Sequence, residues 1–105
     1  EKKMKNFRTY DLALELYQEC QKIKVRKAEL RDQFERASLS IVLNLAEGSG
    51  KLTVKDRRRF YSIAMGSLRE TQALLGILAE VKAAALAEKL GASLYRLIQN
   101  PGGSF

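Results

Sequence analysis

The sequence contains no histidine, and it has one cysteine and one proline among its 105 residues. Without histidine, the chain cannot build a Ser-His-Asp or Cys-His catalytic centre, an imidazole metal ligand or a histidine pH switch. Cys20 has no partner for an intrachain disulfide, and its helical spacing with Ala13, Tyr17 and Ile23 predicts a buried core residue. We therefore expect no enzymatic activity, no bound metal and no cofactor.

Residues that interrupt helices or favour strands are also scarce. The single proline is Pro101, and four of the seven glycines lie in two pairs, at 48/50 and 102/103. Valine, isoleucine and threonine are sparse beside leucine, alanine, glutamate, lysine and arginine. This composition predicts an all-α chain with long helices.

Long apolar runs are absent as well. None approaches the roughly 18 residues of a membrane span, and the N-terminus lacks the apolar core of a signal peptide, so we expect a cytoplasmic protein. Hydrophobic residues make up 46% of the chain and charged residues 30%, which is typical of a folded domain. The length predicts one domain over residues 1–105, with flexible ends at about 1–6 and 101–105.

Apolar residues recur every three or four positions in four segments, which predicts an up-and-down antiparallel four-helix bundle. We expect the first two helices at about 9–23 and 27–47 and the fourth at about 84–99. Thr9 is the predicted N-cap of the first helix. Thr53, with Asp56 three residues later, is the predicted N-cap of the third. The Gly-Ser-Gly turn at 48–50 is expected to end the second helix.

The third helix carries a strict 4-3 repeat typical of a left-handed bundle. The repeat comprises Phe60, Ala64, Ser67, Thr71, Leu74, Leu78 and Val81. It predicts that Phe60 faces the core and Tyr61 does not, while Gly66 and Ser67 allow a neighbouring backbone to come close. The second half of helix two is apolar nearly all round, which predicts that a partner subunit covers part of it.

The connection between the third and fourth helices contains no turn residue. The segment Lys82-Ala83-Ala84-Ala85 strongly favours helix. Either a tight turn falls near 80–83, or the two helices continue as one rod whose end packs on another subunit. We favour the turn.

A phosphate-binding loop is a possible interpretation of Gly48-Ser49-Gly50-Lys51, but the spacing excludes it. The eight-residue P-loop pattern requires glycine at position 45 and serine or threonine at position 52, and both positions are leucine. The segment is fully explained as the end of one helix and the approach to the next.

A polar set on helices two and three could suggest a carboxylate pair. It consists of Asn44, Glu47, Ser67, Glu70 and Thr71. In antiparallel helices joined by a short loop, Glu47 lies at the loop and Glu70 about four turns away from it. We therefore interpret the set as capping or register-setting contacts.

Positive charge is the remaining functional signal. Lysine and arginine number 19 against 12 acidic residues, giving a net charge of +7 and a pI near 9.8. In an up-and-down bundle, one end collects many of these cations, and we call this end the basic rim. Its residues are Lys2, Lys3, Lys5, Arg8, Lys51, Lys55, Arg57, Arg58 and Arg59. The opposite end holds a weaker group, Lys22, Lys24, Arg26, Lys27 and Arg31, mixed with Glu29 and Asp32.

Three consecutive arginines at the start of helix three are electrostatically unfavourable, because a helix N-terminus already carries partial positive charge. Guanidinium groups at this density suit phosphate contacts, and an aromatic ring beside them suits base stacking. We predict a nucleic-acid-binding surface formed by Lys5, Arg8, Lys51, Lys55, Arg57, Arg58, Arg59 and Tyr61, with Tyr61 as the stacking group.

Two segments resemble the signature of four-helix-bundle proteins encoded within intervening sequences of bacterial 23S ribosomal RNA genes. Arg36 to Gly48 reads RASLSIVLNLAEG, which is similar to the family pattern RRAxxSIxxNIAEG, although Glu35 replaces the first arginine. Arg59 to Gln72 reads RFYSIAMGSLRETQ, similar to the pattern xFLxIAxGSxxETQ of the family's third helix. The resemblance covers about 7–72 well and the rest loosely.

The resemblance implies a bundle that assembles as a homopentameric ring and has no established enzymatic activity. Accessory proteins of diversity-generating retroelements, which are associated with nucleic acid and a reverse transcriptase, look similar in fold and charge. Two hypotheses follow. The protein binds nucleic acid, RNA rather than DNA, through the basic rim of a homo-oligomer. Alternatively, it is an assembly adaptor that docks an acidic protein partner such as a processing enzyme or polymerase.

Overall fold

The computed structural model describes residues 7–103, which form four α-helices and no strand within that range. The helices are α1 (Arg8–Gln21), α2 (Ala28–Ser49), α3 (Val54–Leu78) and α4 (Val81–Gln99). The predicted all-α class and the number of helices are confirmed.

Each helix packs against its neighbours in the chain, and α4 also packs against α1, so the four close into a bundle. The most extensive packing is between α2 and α3. These two helices run antiparallel, since Ser40 contacts Ser67 while Gly48, farther along α2, contacts the earlier Tyr61. The α1–α4 pair is also antiparallel, with Thr9 beside Ser93 and, farther along α1, Glu19 beside the earlier Lys82.

The core consists of one leucine-rich cluster to which all four helices contribute. Its fully buried apolar side chains include Leu16, Ile41, Leu45, Leu68, Leu75, Leu90, Leu94 and Leu97. Cys20 is also buried, at 3% exposed, as its spacing predicted. Burial of aliphatic side chains of this size contributes about 1.5–3 kcal/mol each, so the cluster is the main stabilising feature.

The start of α1 differs from the prediction. The N-cap position is Phe7, whose side chain makes no capping hydrogen bond. Thr9 lies inside the helix, fully buried, with its Oγ1 2.7 Å from Ser93 Oγ. A hydroxyl that is buried must find a partner, and here the tertiary partner in α4 replaces the local capping role.

The ends around the α2–α3 loop follow the sequence more closely. The Asp56 backbone N–H donates to Thr53 Oγ1 at 3.1 Å, which confirms Thr53 as the N-cap of α3. Helix α2 continues through Ser49, and Gly50 follows it in right-handed helical conformation with φ −88°. The glycines of this segment are therefore not needed for a left-handed turn.

A two-residue turn, Ala79 and Glu80, separates α3 from α4, so the rod is excluded. Ala79 adopts the left-handed conformation, with φ 57° and ψ 41°. Its N–H donates to Gly76 O at 3.2 Å, and the Glu80 N–H donates to Leu75 O at 3.1 Å. These bonds satisfy carbonyls at the end of α3. Helix α4 begins at Val81, three residues before the predicted start.

The core-facing row of α3 is only partly the predicted 4-3 repeat. Ala64, Thr71 and Leu74 are buried as expected, together with Tyr61, Leu68 and Leu75. Val81 belongs to α4 and is 81% exposed. Gly66 is exposed, and a Cβ added to it would meet no heavy atom within 4 Å, so the expected close backbone approach does not occur there.

The last described residues form a turn after α4. Pro101 is buried, and the Gly103 N–H donates to Asn100 O at 2.9 Å. The predicted flexible segment 1–6 and residues 104–105 lie outside the described range. Within that range, no helix combines the length and apolar character that crossing a membrane requires.

Candidate nucleic-acid interface

The basic rim forms at the end of the bundle where α1 and α3 begin and α2 and α4 end. The rings of Phe7 and Tyr61 lie 6.3 Å apart, and the Arg57 side chain reaches Pro101 O at 3.5 Å, so these four ends are adjacent. The described rim residues are Arg8, Lys51, Lys55, Arg57, Arg58 and Arg59; Lys2, Lys3 and Lys5 lie outside the described residues.

The structure reverses the predicted roles of Phe60 and Tyr61. Tyr61 is 2% exposed and packs against Gly48, so its ring cannot stack on a base. Burial raises the pKa of its hydroxyl, an effect that the nearby charge of Arg57 partly opposes. Phe60 is only half-buried, and Lys51 Nζ and Arg59 Cζ each lie 5.0 Å from its ring centroid.

The error has a local cause. Alanine or any larger residue at position 48 would collide with the Tyr61 ring, so glycine there lets the ring enter the core between α2 and α3. At this end of α3 the 4-3 repeat therefore predicts that Phe60 faces the core, whereas the buried aromatic residue is the next one, Tyr61. The only sequence signal for the burial of Tyr61 is the glycine that faces it, Gly48. Because Gly48 belongs to a Gly-Ser-Gly segment, the sequence alone indicates the end of a helix there.

Two of the three consecutive arginines bind carbonyl groups of their own chain. Arg57 Nε donates to Lys51 O at 2.8 Å, and Arg58 Nε donates to Ile98 O at 3.0 Å. Arg57 also reaches Pro101 O. Carbonyls at the end of a helix lack intrahelical partners, and cations stabilise that end. Arg58 thus stabilises the adjacent end of α4, and Arg57 binds the α2–α3 loop and the turn that follows α4.

Of the four remaining described rim cations, three are exposed and one is ion-paired. Arg8, Lys55 and Arg59 are exposed, and Lys51 forms a 3.1 Å ion pair with Glu47. Between described residues there are two further ion pairs, Lys22–Glu19 and Lys82–Glu19, and none involves an arginine. Arg8, Lys55 and Arg59 therefore have no carboxylate within ion-pair distance among residues 7–103.

At the opposite end of the bundle, charged side chains likewise form contacts within the chain. Arg31 donates to Val25 O at 3.1 Å, and Lys22 pairs with Glu19 at 2.9 Å. Glu35 accepts hydrogen bonds of 2.6 Å from Tyr17 Oη and from Gln21 Nε2. These bonds, that of Tyr17 first, lower the pKa of the Glu35 carboxyl. Glu35, which stands where the pattern RRAxxSIxxNIAEG has its first arginine, thus joins α2 to α1.

The predicted polar set makes one contact between α2 and α3, from Ser67, and two hydrogen bonds that stay within one helix, from Asn44 in α2 and from Thr71 in α3. Ser67 Oγ lies 2.8 Å from Ser40 Oγ, Asn44 Nδ2 donates to Ser40 O at 2.9 Å, and Thr71 donates to Ser67 O. Ser40, which the sequence interpretation omits, is the centre of this group. A serine between two apolar residues gives no signal that it faces a second serine.

Comparison with known proteins agrees with the two signature segments. A protein-family model described as 23S rRNA-intervening sequence protein matches residues 6–100, which include all four helices. Among curated proteins and solved structures, no significant match to the chain was found. Since the family model covers most of the chain, the protein belongs to the 23S rRNA-intervening sequence protein family.

Proposed function

We propose that this protein is a non-enzymatic RNA-binding protein that acts in the cytoplasm and binds structured RNA through the basic rim. The observation that carries the proposal is the group of exposed rim cations that have no carboxylate partner among the described residues. Arg8, Lys55 and Arg59 are exposed at one end of the bundle and form no ion pair there. Such a surface attracts phosphate backbones without reading sequence.

The proposal includes assembly into a homo-oligomer, a pentamer as the family resemblance implies. Large apolar side chains on the outer faces of α2 and α3 support it: Leu43, Ile63 and Ile77 are 56%, 46% and 66% exposed. We propose that these side chains belong to one contiguous apolar surface, which would mark a subunit contact. A ring would repeat the rim around one face, and multivalent contacts would strengthen phosphate binding.

The test is a pair of charge-reversal variants of equal net charge. The rim variant carries Arg8→Glu, Lys55→Glu and Arg59→Glu, and leaves Arg57 and Arg58 in place because they bind carbonyls of their own chain. The control carries Lys24→Glu, Arg26→Glu and Lys27→Glu at the opposite end, where all three side chains are also exposed. Affinity for a labelled ribosomal RNA fragment is measured by fluorescence anisotropy at several salt concentrations.

We expect the rim variant to lose about tenfold or more in affinity and to show a shallower salt dependence, because fewer counterions are released. The control should lose much less. Equal losses in both variants would mean that net charge alone drives binding. No binding by the unmodified protein, even at low salt, would overturn the proposal.

A specific observation supports the adaptor as a second candidate function. Leu52, in the α2–α3 loop, is 96% exposed, and Val54, the first residue of α3, is 52% exposed. Both lie beside the rim. Apolar side chains surrounded by cations suit an acidic protein surface better than RNA. Under this alternative, Leu52→Ser abolishes capture of a protein partner from nuclease-treated extract, while the protein itself shows no affinity for RNA.

A further inference from the structure

A groove of about 440 Å³ runs between α3 and α4 on the outer surface of the bundle. It is lined by Arg69 and Gln72 from α3 and by Glu88, Gly91, Tyr95 and Arg96 from α4. Its volume lies within the range of small-ligand sites. None of these residues belongs to the basic rim.

Gly91 gives the groove its depth. A Cβ at this position would lie 3.6 Å from Leu68 Cδ2 and 3.9 Å from Arg69 Nη1, so the floor rests directly on the buried Leu68. Any larger side chain would occupy the space between the walls. Gly91 lowers the helix propensity of α4, and it leaves an open surface with an apolar base.

Tyr95 forms one wall and is unusual among the aromatic residues. Of those within residues 7–103, it alone is exposed, with 58% of its surface accessible. Its hydroxyl accepts a 3.0 Å hydrogen bond from Gln99 Nε2, one turn further along α4. This bond holds the phenol without covering the ring. A large, oriented and accessible ring is the usual platform for stacking a nucleic-acid base.

The two arginines supply the charge for a phosphate. Arg69 and Arg96 are both exposed and form no ion pair with a described residue. Arg69 Nη1 donates to Gln72 Oε1 at 2.8 Å, which restricts the guanidinium to the groove wall. Glu88 is the one carboxylate in the lining. It repels a phosphate at its end of the groove and can accept a hydrogen bond from a base amino group.

We propose that this groove binds one nucleotide of a single-stranded RNA segment, with the base stacked on Tyr95 and the phosphate held by Arg69 and Arg96. The inference rests on the proposed function and extends it. Tyr95 lies only four residues, or about 6 Å along the helix axis, before the rim end of α4 at Gln99. A strand that leaves structured RNA bound at the rim would therefore pass this groove.

The experiment uses two RNA probes and three protein variants. One probe is a closed hairpin; the other is the same hairpin with a single-stranded extension that contains 2-aminopurine, whose fluorescence is quenched by stacking. The variants are Tyr95→Ser, Tyr95→Phe and the double variant Arg69→Gln/Arg96→Gln. All three positions are exposed, so the fold should tolerate the changes, and circular dichroism checks this.

For the extended probe, we expect Tyr95→Ser to weaken binding about tenfold and to abolish quenching, while Tyr95→Phe retains both, because the ring supplies the stacking. The arginine double variant should weaken binding and reduce the salt dependence. Hairpin affinity should be unchanged in all three variants.

The possible failures are distinguishable. If the unmodified protein binds neither probe, the proposed function itself fails. If it binds both probes and Tyr95→Ser alters neither affinity nor quenching, the groove inference alone is overturned. If Tyr95→Ser changes the sedimentation of the RNA-free protein, the groove is occupied by a second copy of the chain, which also overturns the inference.

Discussion

Gly48 in α2 lies directly against the ring of Tyr61 in α3. A Cβ added to Gly48 would be 2.7 Å from Cε1 and 3.0 Å from Cδ1 of that ring, and also 3.0 Å from Phe60 Cβ. These separations are shorter than a carbon–carbon contact allows. The ring is 2% exposed and contacts Phe7, the N-cap residue of α1, so it has little room to move. The contact fixes the spacing of α2 and α3 at the end that carries the basic rim.

We expect Gly48→Ala to destabilise the protein by about 1–3 kcal/mol, because overpacking outweighs the gain of up to about 1 kcal/mol in helix propensity. The matched control is Gly66→Ala, where a Cβ meets no atom within 4 Å. That variant should be more stable than the parent by about 0.5–1 kcal/mol. Urea unfolding at one protein concentration measures both. Equal stabilisation by the two substitutions would show that Tyr61 moves aside readily.

The contact also shows how far the sequence alone can predict the fold. Period and capping patterns identify α2 and α3 well, and Thr53 is correctly predicted as the cap of α3. Which face of α3 enters the core depends on a glycine one helix away, and periodicity within α3 does not contain that information. The prediction for Phe60 and Tyr61 is therefore reversed.

The turn at Ala79 has no local signal at all. Alanine in the left-handed region is unfavourable by about 1–2 kcal/mol, so no sequence rule selects it. The packing of α4 against both α3 and α1 determines where the chain must reverse. Arg57 and Arg58 are recognisable as electrostatically unfavourable at the start of α3, but the sequence does not reveal their backbone partners. Lys51 O lies six residues before Arg57, whereas Ile98 O comes near Arg58 only when α4 packs against α3.

Thr9 and Ser93 provide a test of buried polar pairing between α1 and α4. Their hydroxyl oxygens are 2.7 Å apart, and both side chains are at most 1% exposed. Thr9→Val or Ser93→Ala alone removes a partner from a buried hydroxyl, and we expect each to cost about 1–3 kcal/mol. The double variant should cost less than the sum of the two. A double-mutant cycle from urea unfolding measures this coupling, and strict additivity would contradict it.

The Tyr17–Glu35 hydrogen bond predicts a pH-dependent contribution to stability. The bond lowers the pKa of the Glu35 carboxyl from 4.5 and raises the pKa of the Tyr17 hydroxyl from 10.0. Because the carboxyl pKa is lower in the folded state, ionised Glu35 stabilises the fold at pH values above the ordinary carboxyl pKa. This contribution is lost as the pH falls through the folded-state pKa. Because the tyrosine pKa is higher in the folded state, the neutral hydroxyl of Tyr17 stabilises the fold at pH values below the ordinary tyrosine pKa. This contribution is lost in alkali, as the pH rises through the folded-state pKa.

Tyr17→Phe should therefore lower the melting temperature slightly near neutral pH, and the difference from the parent should disappear in acid and in alkali. Thermal unfolding followed by circular dichroism across a pH series measures it. Tyr10→Phe makes the same chemical change in α1 at a hydroxyl that bonds no carboxylate of residues 7–103, and its effect should not follow this profile. A pH-independent difference for Tyr17→Phe would contradict the assigned hydrogen bond.

Cys20 should be inert in the folded protein. It is 3% exposed, and burial raises its thiol pKa to about 12, with smaller contributions from the charges of Glu19 and Glu35. At about pH 8 almost no thiolate forms, so labelling by a disulfide reagent should require unfolding. The control is Cys20→Ser/Gln18→Cys, which moves the thiol to an exposed position of α1 and should react at once. Rapid labelling of native Cys20 would contradict this burial.

The basic rim combines residues that stabilise the fold with residues that are available to a ligand, and lysine substitutions separate the two. Arg57→Lys and Arg58→Lys keep the charge but lose the Nε–H groups that bind Lys51 O and Ile98 O. We expect each to destabilise the protein by about 0.5–1.5 kcal/mol.

Arg59→Lys is the matched control for these two variants, since Arg59 makes no hydrogen bond to the described backbone and lies over the Phe60 ring, where lysine also fits. Its stability should be close to that of the parent. Urea unfolding compares the three variants, and RNA anisotropy compares their salt dependence, which should be the same because the charge is unchanged. If Arg59→Lys lost as much stability as the other two variants, the hydrogen bonds to backbone carbonyls would not be the reason that Arg57 and Arg58 stabilise the fold.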